Sequence, residues 1–343
     1  MKELVPAPSF FGISMVRTME FAVTGNCNLR CLHCYQGADK GLNQEVAFSD
    51  VLAVIDDVKV LGFEQIVFTG GEFFYHSDWK KILLGSSLPF RIVSNGTLMD
   101  NGKVEFLKGS NILGITFSID GLKDDHDFRR GKGNFEKTIS ATRELIKEGI
   151  DITANVTIDN RNSRYLDELH SFLVGAGFSK VIYLSLGRTG FFLDNESYLN
   201  YDDFTKKLVL ELYKQLSAKA KSVKEKCDIF HSILSVDYFG DVYPCSFARD
   251  IKVFKLGNIY QNSLREIYYF VKNNPERFPF VSFDSSQLGS CKKCASFGVC
   301  KGKCRIRAYK SEKNFFDPDP FACAVYGTGS DENINALMWG DSN

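Results

Sequence analysis

The chain lacks three features that would each assign it to a broad class of proteins. It contains no run of ~18 consecutive apolar residues, so the sequence predicts no transmembrane helix. The N-terminus has no basic region followed by an apolar segment, which argues against a signal peptide. The formal net charge is zero, which argues against nucleic-acid binding through phosphate contacts. We therefore expect a cytoplasmic protein that binds neither nucleic acid nor a membrane.

Cysteine is absent from a long central stretch. Of the ten cysteines, three lie within residues 27–34, none lies between 35 and 226, and seven lie between 227 and 323. Because cytoplasmic thiols stay reduced, this distribution indicates two metal-binding regions rather than disulfides. At 343 residues, the chain is long enough for one large or two medium domains.

The first half of the chain alternates strand and helix patterns. Helical patterns open near Ser49, Asn134 and Ser163 and stop at glycines. Between them lie short apolar or β-branched runs, typical of buried parallel strands. These runs are residues 18–24, 65–69, 90–94, 113–119, 151–158 and 180–186. The alternation predicts an α/β fold, either an open doubly wound sheet or part of a (β/α) barrel.

A polar cluster follows each of the first four predicted strands. In chain order they are the loop Cys27 to Cys34, Thr69-Gly70-Gly71-Glu72, Ser94-Asn95-Gly96 and Ser118-Ile119-Asp120-Gly121. In both fold types, functional groups gather at the carboxyl ends of the strands. The sequence therefore places all four clusters on one rim.

The first cluster contains three thiols spaced four and three residues apart, Cys27, Cys31 and Cys34. Thiolates are the usual protein ligands of iron–sulfur clusters, and a 4Fe–4S cluster has four irons. Three cysteines would leave one iron free to bind and activate another molecule. The spacing alone allows two alternatives. One is a zinc site with His33 as the fourth ligand, and the other is a disulfide between two of the cysteines that leaves the third unpaired.

Together, the cysteine loop after the first strand and Gly70-Gly71-Glu72 after the second resemble the radical S-adenosylmethionine (SAM) enzymes. The resemblance covers roughly residues 18–187 and implies a partial (β/α)6, TIM-like barrel. It implies that SAM chelates the open iron through its amino and carboxylate groups. An electron from the cluster would then cleave SAM and release a 5′-deoxyadenosyl radical, which takes a hydrogen atom from the substrate. Such an enzyme also needs an electron donor such as flavodoxin or ferredoxin.

The same resemblance assigns residues to parts of SAM. The SAM ammonium group would be bound by Gly70, Gly71 and Glu72, and the SAM carboxylate by Ser118 and Arg130. The ribose would lie near Ser94 and Asn95, and the adenine near His33. In the family, the position of His33 usually holds an aromatic residue. Structural alternatives remain: the glycine pair and Asp120-Gly121 are each explained by a turn, and Arg129-Arg130 by a surface charge pair.

The second cysteine region resembles the SPASM domain, a C-terminal extension of some radical SAM enzymes that binds two auxiliary clusters. The residues that carry the resemblance are Cys227, Gly240, Cys245, Cys291, Cys294, Cys300, Cys304 and Cys323. The resemblance implies an outer cluster on Cys291, Cys294, Cys300 and Cys323, and an inner cluster on Cys227, Cys245 and Cys304. With the SAM-binding cluster, this makes three 4Fe–4S clusters. A zinc ribbon is the alternative.

Two departures from the family pattern bear on chemistry. No cysteine closely precedes Cys227, so the inner cluster would keep an open iron or take another ligand, for which His231 is a candidate. In the sulfatase-maturing branch, an aspartate thought to act as base follows the cysteine that matches Cys245. Here Ser246 occupies that place, and serine is a poor base without a partner, which argues against sulfatase maturation.

These patterns divide the chain into a radical SAM barrel over 1–187, a helical bridge over 188–226, a SPASM domain over 227–330 and a polar tail over 331–343. The bridge carries the apolar stripe Leu208, Leu212 and Leu216.

The expected function is oxidative modification of a ribosomally made peptide, by crosslinking or dehydrogenation. Because only 17 residues precede the first strand, either a separate protein would bind the leader peptide or the substrate would bind directly. One alternative is dehydrogenation of a small molecule such as a sugar alcohol. Another is an electron-transfer or zinc-stabilised scaffold without turnover, which would leave Gly70-Gly71-Glu72 without a role.

Overall fold

The structure is a computed structural model that describes residues 16–34, 43–184, 202–219, 229–249, 251–281, 287–312 and 314–326. Six parallel strands pair in consecutive order. They are β1 (Thr18–Thr24), β2 (Gln65–Gly70), β3 (Phe90–Ser94), β4 (Ile112–Ser118), β5 (Ile152–Thr157) and β6 (Lys180–Leu184). All six predicted strands are confirmed to within one or two residues, although positions 185 and 186 of the last lie outside the described residues.

Three further strands extend this sheet beyond β1. They are β7 (Ile233–Val236), β8 (Asp241–Tyr243) and β9 (Gly257–Asn258). β7 runs parallel to β1, whereas β8 and β9 are antiparallel. The strand order β6-β5-β4-β3-β2-β1-β7-β8-β9 leaves β6 and β9 at opposite edges, so the barrel is not closed. The predicted α/β fold with a partial barrel is confirmed, and the cysteine-rich region continues its sheet.

The helices follow the strands in the expected alternation. Those described are α1 (Phe48–Val60), α2 (Trp79–Gly85), α3 (Asn101–Lys108), α4 (Lys123–Arg130), α5 (Asn134–Lys147), α6 (Leu166–Gly175), α7 (Asp203–Lys219), α8 (Leu264–Asn273), α9 (Phe297–Cys300), α10 (Arg305–Glu312) and α11 (Pro320–Val325). Within the described parts of the chain, none is long and apolar enough to cross a membrane. Of the predicted bridge stripe, Leu212 on α7 is buried, and the side chain of Leu216 lies outside the described residues.

Two helices begin one and three residues from their predicted starts. α1 begins at Phe48 rather than Ser49, and its first turn has no side-chain cap. Burial of Val51 and Ile55, rather than a serine cap, therefore fixes this helix. The helix predicted from about Ser163 is present, but its first turn, residues 162–165, is a 3-10 turn and the α-helix α6 begins at Leu166. In this turn Asn162 exchanges hydrogen bonds with Asp159.

The two faces of the sheet differ in burial. Alternate residues such as Phe21 and Phe68 are completely buried, because they point toward the helices. The intervening residues, including Val67, Val93 and Thr116, are only half-buried. A doubly wound sheet would be covered on both faces. The partial exposure of one face instead marks the open interior of a partial barrel, where a ligand can bind.

Candidate functional site

The carboxyl end of β2 lies directly against the start of the cysteine loop. The amide of Gly71 donates to the carbonyl of Thr24 at 2.8 Å, and that of Glu72 donates to the carbonyl of Asn26 at 2.9 Å. A Cβ on Gly71 would lie 2.4 Å from the Asn26 oxygen, which no side chain tolerates. Gly70 has φ +154°, and its Cβ would lie 2.5 Å from the Thr24 oxygen. The glycine pair is therefore required by the close approach of two backbones, in addition to any role in SAM binding.

Two of the three loop thiols are held beside N–H donors. The sulfur of Cys27 accepts from the amide of Leu29 at 3.3 Å, and the side-chain amide of Asn95 lies 3.9 Å away. The sulfur of Cys31 lies 3.9 Å from a guanidinium nitrogen of Arg130. Burial nevertheless raises the pKa of Cys27 to about 12 and that of Cys31 to about 11. A buried thiolate at these positions needs a positive partner, and an iron cluster would supply one.

The spacing of these ligands also matters. Within the described residues, no three His, Cys, Asp or Glu side chains lie close enough together to hold one metal ion. A cluster carries its ligands on separate irons, so its thiols need not converge on a single point. All nine cysteines of the described part are free thiols. The donor set therefore fits iron–sulfur clusters.

Glu72 is fixed by residues that follow β3. Its carboxylate accepts from the hydroxyl of Ser94 at 2.8 Å, from the amide of Asn95 at 2.7 Å and from the amide of Phe74 at 3.1 Å. Complete burial raises its pKa in spite of these bonds. The side chain of Asn95 also donates to Asn28 in the cysteine loop. The ends of β1, β2 and β3 thus form one hydrogen-bonded unit.

Asp120, beyond the end of β4, forms a second buried unit. Its carboxylate lies 2.5 Å from Nε of Arg130 and 3.2 Å from Nε2 of His33, and it accepts from the amide of Thr157. Burial alone would raise the pKa of Asp120, but the charges of Arg130, His33 and Arg129 hold it well below its usual range. Asp120 is thus more than a turn residue.

The two arginines before Gly131 are not a surface pair. Arg129 is 1% exposed and binds Asp159 at 2.7 Å, and its guanidinium also donates to the carbonyl of Thr157. Both guanidinium groups reach Asp120, that of Arg129 at 3.4 Å and that of Arg130 at 2.5 Å. The guanidinium of Arg130 also contacts Cys31 and His33, which places it at the cysteine loop.

Polar atoms remain without partners near this rim. Nδ1 of His33 and the side-chain oxygen of Asn155 are both buried and make no hydrogen bond within the described structure. Asn155 pairs across the sheet with Ser118, at the end of β4. These atoms can receive hydrogen bonds from, or donate them to, a bound molecule. The pattern of the sequence placed His33, Ser118 and Asp120 on this rim but missed Asn155 and Asn28.

The second cysteine region is held together by Asp319. Its carboxylate accepts from the amide of Cys304 at 3.0 Å and from the guanidinium of Arg307 at 2.7 Å. Its carbonyl accepts from the amide of Cys323 at 3.0 Å. Two predicted ligands far apart in the sequence are thereby joined through one residue.

The remaining predicted ligands are distributed over short elements. Cys291 begins a 3-10 helix, Cys294 follows it, Cys300 ends α9, and Cys245 precedes the 3-10 turn that starts at Ser246. Cys227 lies outside the described residues. His231 lies in the turn before β7, where its ring contacts Phe230. Its role as a cluster ligand stays a prediction.

Comparison with known sequences identifies both halves of the chain. Residues 21–173 match the Radical SAM superfamily, and residues 227–295 match SPASM, an iron–sulfur cluster-binding domain. The chain is 24% identical to the Fe-coproporphyrin III synthase of Methanosarcina barkeri, over 88% of this chain and 86% of that protein. It is 24% identical to the mycofactocin maturase MftC of Mycolicibacterium smegmatis, over 92% and 85% of the two chains.

Solved structures share the fold. The structure of Streptococcus suis SuiB bound to S-adenosylmethionine matches with a TM-score of 0.69 at 14% identity, over 90% of this chain and 77% of that one. SuiB bound to the precursor peptide SuiA gives a TM-score of 0.65 at 14% identity, over 87% and 73%.

The cofactors follow from the two domains. A radical SAM domain binds SAM and a 4Fe–4S cluster, and a SPASM domain binds auxiliary iron–sulfur clusters. The cysteine-rich loop and the cysteine-rich C-terminal region supply the thiols that such cofactors need. The chain therefore carries a radical SAM domain over residues 21–173, followed by a SPASM domain over residues 227–295.

Proposed function

We propose that this enzyme cleaves SAM reductively at the rim formed by the first four strands and takes a hydrogen atom from a peptide. The observation that carries the proposal is the convergence of the cysteine loop, the glycine pair and Arg130 on that rim. In this proposal, Cys27, Cys31 and Cys34 ligate the SAM-binding cluster. The residues proposed to contact SAM are Gly70, Gly71, Glu72, Ser94, Asn95, Ser118, Arg130 and His33.

The contacts within the rim refine these roles. Ser94 and Asn95 both donate to Glu72, so they position this carboxylate for the SAM ammonium group whether or not they also contact the ribose. Arg130 lies between Asp120 and Cys31, where it can receive the SAM carboxylate beside the cluster. A guanidinium suits this role because it presents several N–H donors in a plane.

A peptide is the substrate class that the relatives favour. One of them is named as a maturase, and a protein of the same fold has been solved with a precursor peptide bound. The half-buried interior of the sheet offers a hydroxyl group at Thr116 and an amide group at Asn155, which can pair with a peptide backbone. A separate leader-binding protein and a flavodoxin or ferredoxin as electron donor complete the proposed set of partners.

The proposed outcome is an oxidation. The substrate loses a hydrogen atom to the 5′-deoxyadenosyl radical, and its own radical then loses one electron and one proton. An auxiliary cluster bound in the SPASM domain would supply an acceptor for this electron, and loss of the electron and proton would leave a crosslink or a double bond in the peptide. Cys227, Cys245 and Cys304 would hold the inner auxiliary cluster, and Cys291, Cys294, Cys300 and Cys323 the outer one.

A second candidate substrate is an iron porphyrin that is a precursor of heme, because a relative that matches over 91% of this chain and 97% of its own length is named AdoMet-dependent heme synthase. The sequence also allowed a small-molecule dehydrogenase acting on a sugar alcohol. No contact within the described residues favours that alternative over a peptide.

The test is an anaerobic reaction of the reconstituted protein with SAM, a reductant and the peptide encoded by a short reading frame beside its gene. Mass spectrometry should show 5′-deoxyadenosine and a peptide lighter by one pair of hydrogen atoms. A parallel reaction contains Fe-coproporphyrin III instead. An unchanged peptide together with a modified porphyrin would contradict the peptide proposal and support the second candidate.

A further inference from the structure

One stretch of the auxiliary region carries charge of a single sign. Residues 285–311 contain seven lysines and arginines and no aspartate or glutamate, although the formal net charge of the whole chain is zero. Four of the lysines stand between predicted cluster ligands, in Cys-Lys-Lys-Cys over 291–294 and in Cys-Lys-Gly-Lys-Cys over 300–304. We call residues 285–311 the basic segment. Charge concentrated in this way indicates a surface for an anionic partner.

The fold brings the two lysine-bearing motifs of the basic segment together. The 3-10 turn over 291–293 packs against α9, and the amide of Phe297 donates to the carbonyl of Cys294 at 3.0 Å. The second motif begins at Cys300, where α9 ends. The charges of both motifs therefore act on the same part of the surface.

Three lysines of the basic segment are free to meet a partner. Lys292 and Lys293 are exposed and Lys301 is half-buried, and within the described residues no carboxylate lies at ion-pair distance from any of them. By contrast, Arg307 is paired with Asp319 at 2.7 Å. Exposed cations without an acidic neighbour leave a positive potential in the solvent, which attracts an anionic surface.

The second motif holds its lysines in an unusual backbone conformation. Lys301 has φ +49° and Lys303 has φ +46°, on either side of Gly302 at φ +79°. Side chains are disfavoured in this left-handed region, whereas glycine adopts it readily. The turn alone would favour glycine at both positions, so it does not explain the lysines. Binding of an anionic partner would explain them.

An electron carrier is the partner that fits this position. The proposed oxidation leaves one electron in the protein in each turnover, so an oxidised carrier must take up this electron and is itself reduced by one electron. Electron-transfer complexes have small interfaces, and complementary charge guides their formation. A peptide substrate must instead reach the rim at the ends of the first four strands, where the reaction is proposed to occur.

We propose that the basic segment is the docking surface for an acidic electron-carrier protein, with Lys292, Lys293 and Lys301 as its main contacts. A carrier bound there lies against the cysteines assigned to the outer cluster, so the distance that an electron crosses is short. The inference rests on the proposed oxidation and on the proposed cluster ligands.

The test measures binding of oxidised flavodoxin, an acidic carrier, to the reconstituted full chain without SAM or peptide, and ferredoxin is a second probe. Calorimetry gives Kd at ionic strengths of about 0.01 and 0.15 M, and Kd should rise steeply between them because salt screens exposed charges. The triple variant Lys292→Gln, Lys293→Gln and Lys301→Gln should raise Kd about tenfold at the lower ionic strength, because each exposed charge contact contributes a factor of about two.

Two control variants separate charge from shape. Replacing the same three lysines by arginine keeps the charge and should leave Kd within about a factor of two. Lys59→Gln, Lys137→Gln and Lys207→Gln together remove three exposed cations from α1, α5 and α7 and should leave Kd unchanged. Iron content is measured for every variant, since the substituted lysines are not predicted ligands and their replacement should leave it at the wild-type value.

Carbodiimide cross-linking of the wild-type protein to flavodoxin locates the surface without any substitution. Mass spectrometry should find carrier carboxylates joined to Lys292, Lys293 or Lys301. If the glutamine variant loses iron, the cross-links decide.

Three results would overturn the proposal: binding of neither carrier at the lower ionic strength, an unchanged Kd in the glutamine variant at full iron content, or cross-links at other lysines only. Tighter binding of a DNA duplex than of either carrier would contradict the choice of partner. Because no SAM or peptide is present, these results are independent of whether a peptide is the substrate.

Discussion

The carboxylate of Asp120 lies 2.5 Å from Nε of Arg130, and its side chain is completely buried. The same carboxylate binds His33 in the cysteine loop and the amide of Thr157 on β5. Three separate elements are therefore fixed around one charge. This contact sets the position of Arg130 relative to Cys31, where the proposed SAM carboxylate site lies beside the cluster.

Replacing Asp120 by asparagine should damage both stability and SAM binding. The change leaves the buried guanidinium of Arg130 without its charge partner, so the free energy of unfolding should fall by about 3–5 kcal/mol. Chemical denaturation measures this loss, and calorimetry should show a higher Kd for SAM. Asp124 lies on the exposed first turn of α4, the helix that ends at Arg130. Asp124→Asn should therefore lower the free energy of unfolding by less than about 1 kcal/mol. Equal effects of the two substitutions would contradict the role of Asp120.

Gly71→Ala should disrupt the cysteine loop. The new Cβ would collide with the carbonyls of Asn26 and Gly25, at 2.4 and 2.7 Å. We expect loss of the SAM-binding cluster and release of 5′-deoxyadenosine reduced by about 100-fold, since small displacements of reacting groups have effects of this size. Iron content and product release are the measurements. Gly175→Ala is the matched control, because nothing lies within 4 Å of its Cβ. Normal cluster loading in Gly71→Ala would show that the loop accommodates a side chain.

Asp237 should make stability depend on pH. Burial raises its pKa to about 6, above its ordinary value of 3.8. Between these values the folded protein holds more protons than the unfolded chain, so this residue lowers stability as pH rises through the window. Because of Asp237, the free energy of unfolding should fall by at most about 3 kcal/mol between pH 4 and 7, and Asp237→Asn should remove this fall. Urea unfolding of both proteins at the two pH values gives the difference. Parallel pH profiles would mean that Asp237 is not perturbed.

The strands and the rim could be predicted from the sequence because both depend on local patterns. Apolar runs mark buried parallel strands, and the polar residues that end them share a rim. The buried contacts of Asp120 could not be predicted, since Asp-Gly is a common turn pair and Thr157 lies 37 residues away. The pairing of β7 with β1 places Ile233 opposite Thr18. These two residues are so far apart in the sequence that no local pattern predicts their contact. The start of α1 was misplaced because core packing outweighs a serine cap.

The central claim is that the cysteine loop holds the cluster that cleaves SAM. The most direct test compares 5′-deoxyadenosine released by the reconstituted wild-type protein and by the variant with Cys27, Cys31 and Cys34 changed to alanine. We predict release above a no-protein control from wild type, loaded with about twelve irons. The variant should release none while it keeps the iron of the C-terminal region. SAM cleavage retained by the variant would contradict the assignment of the site.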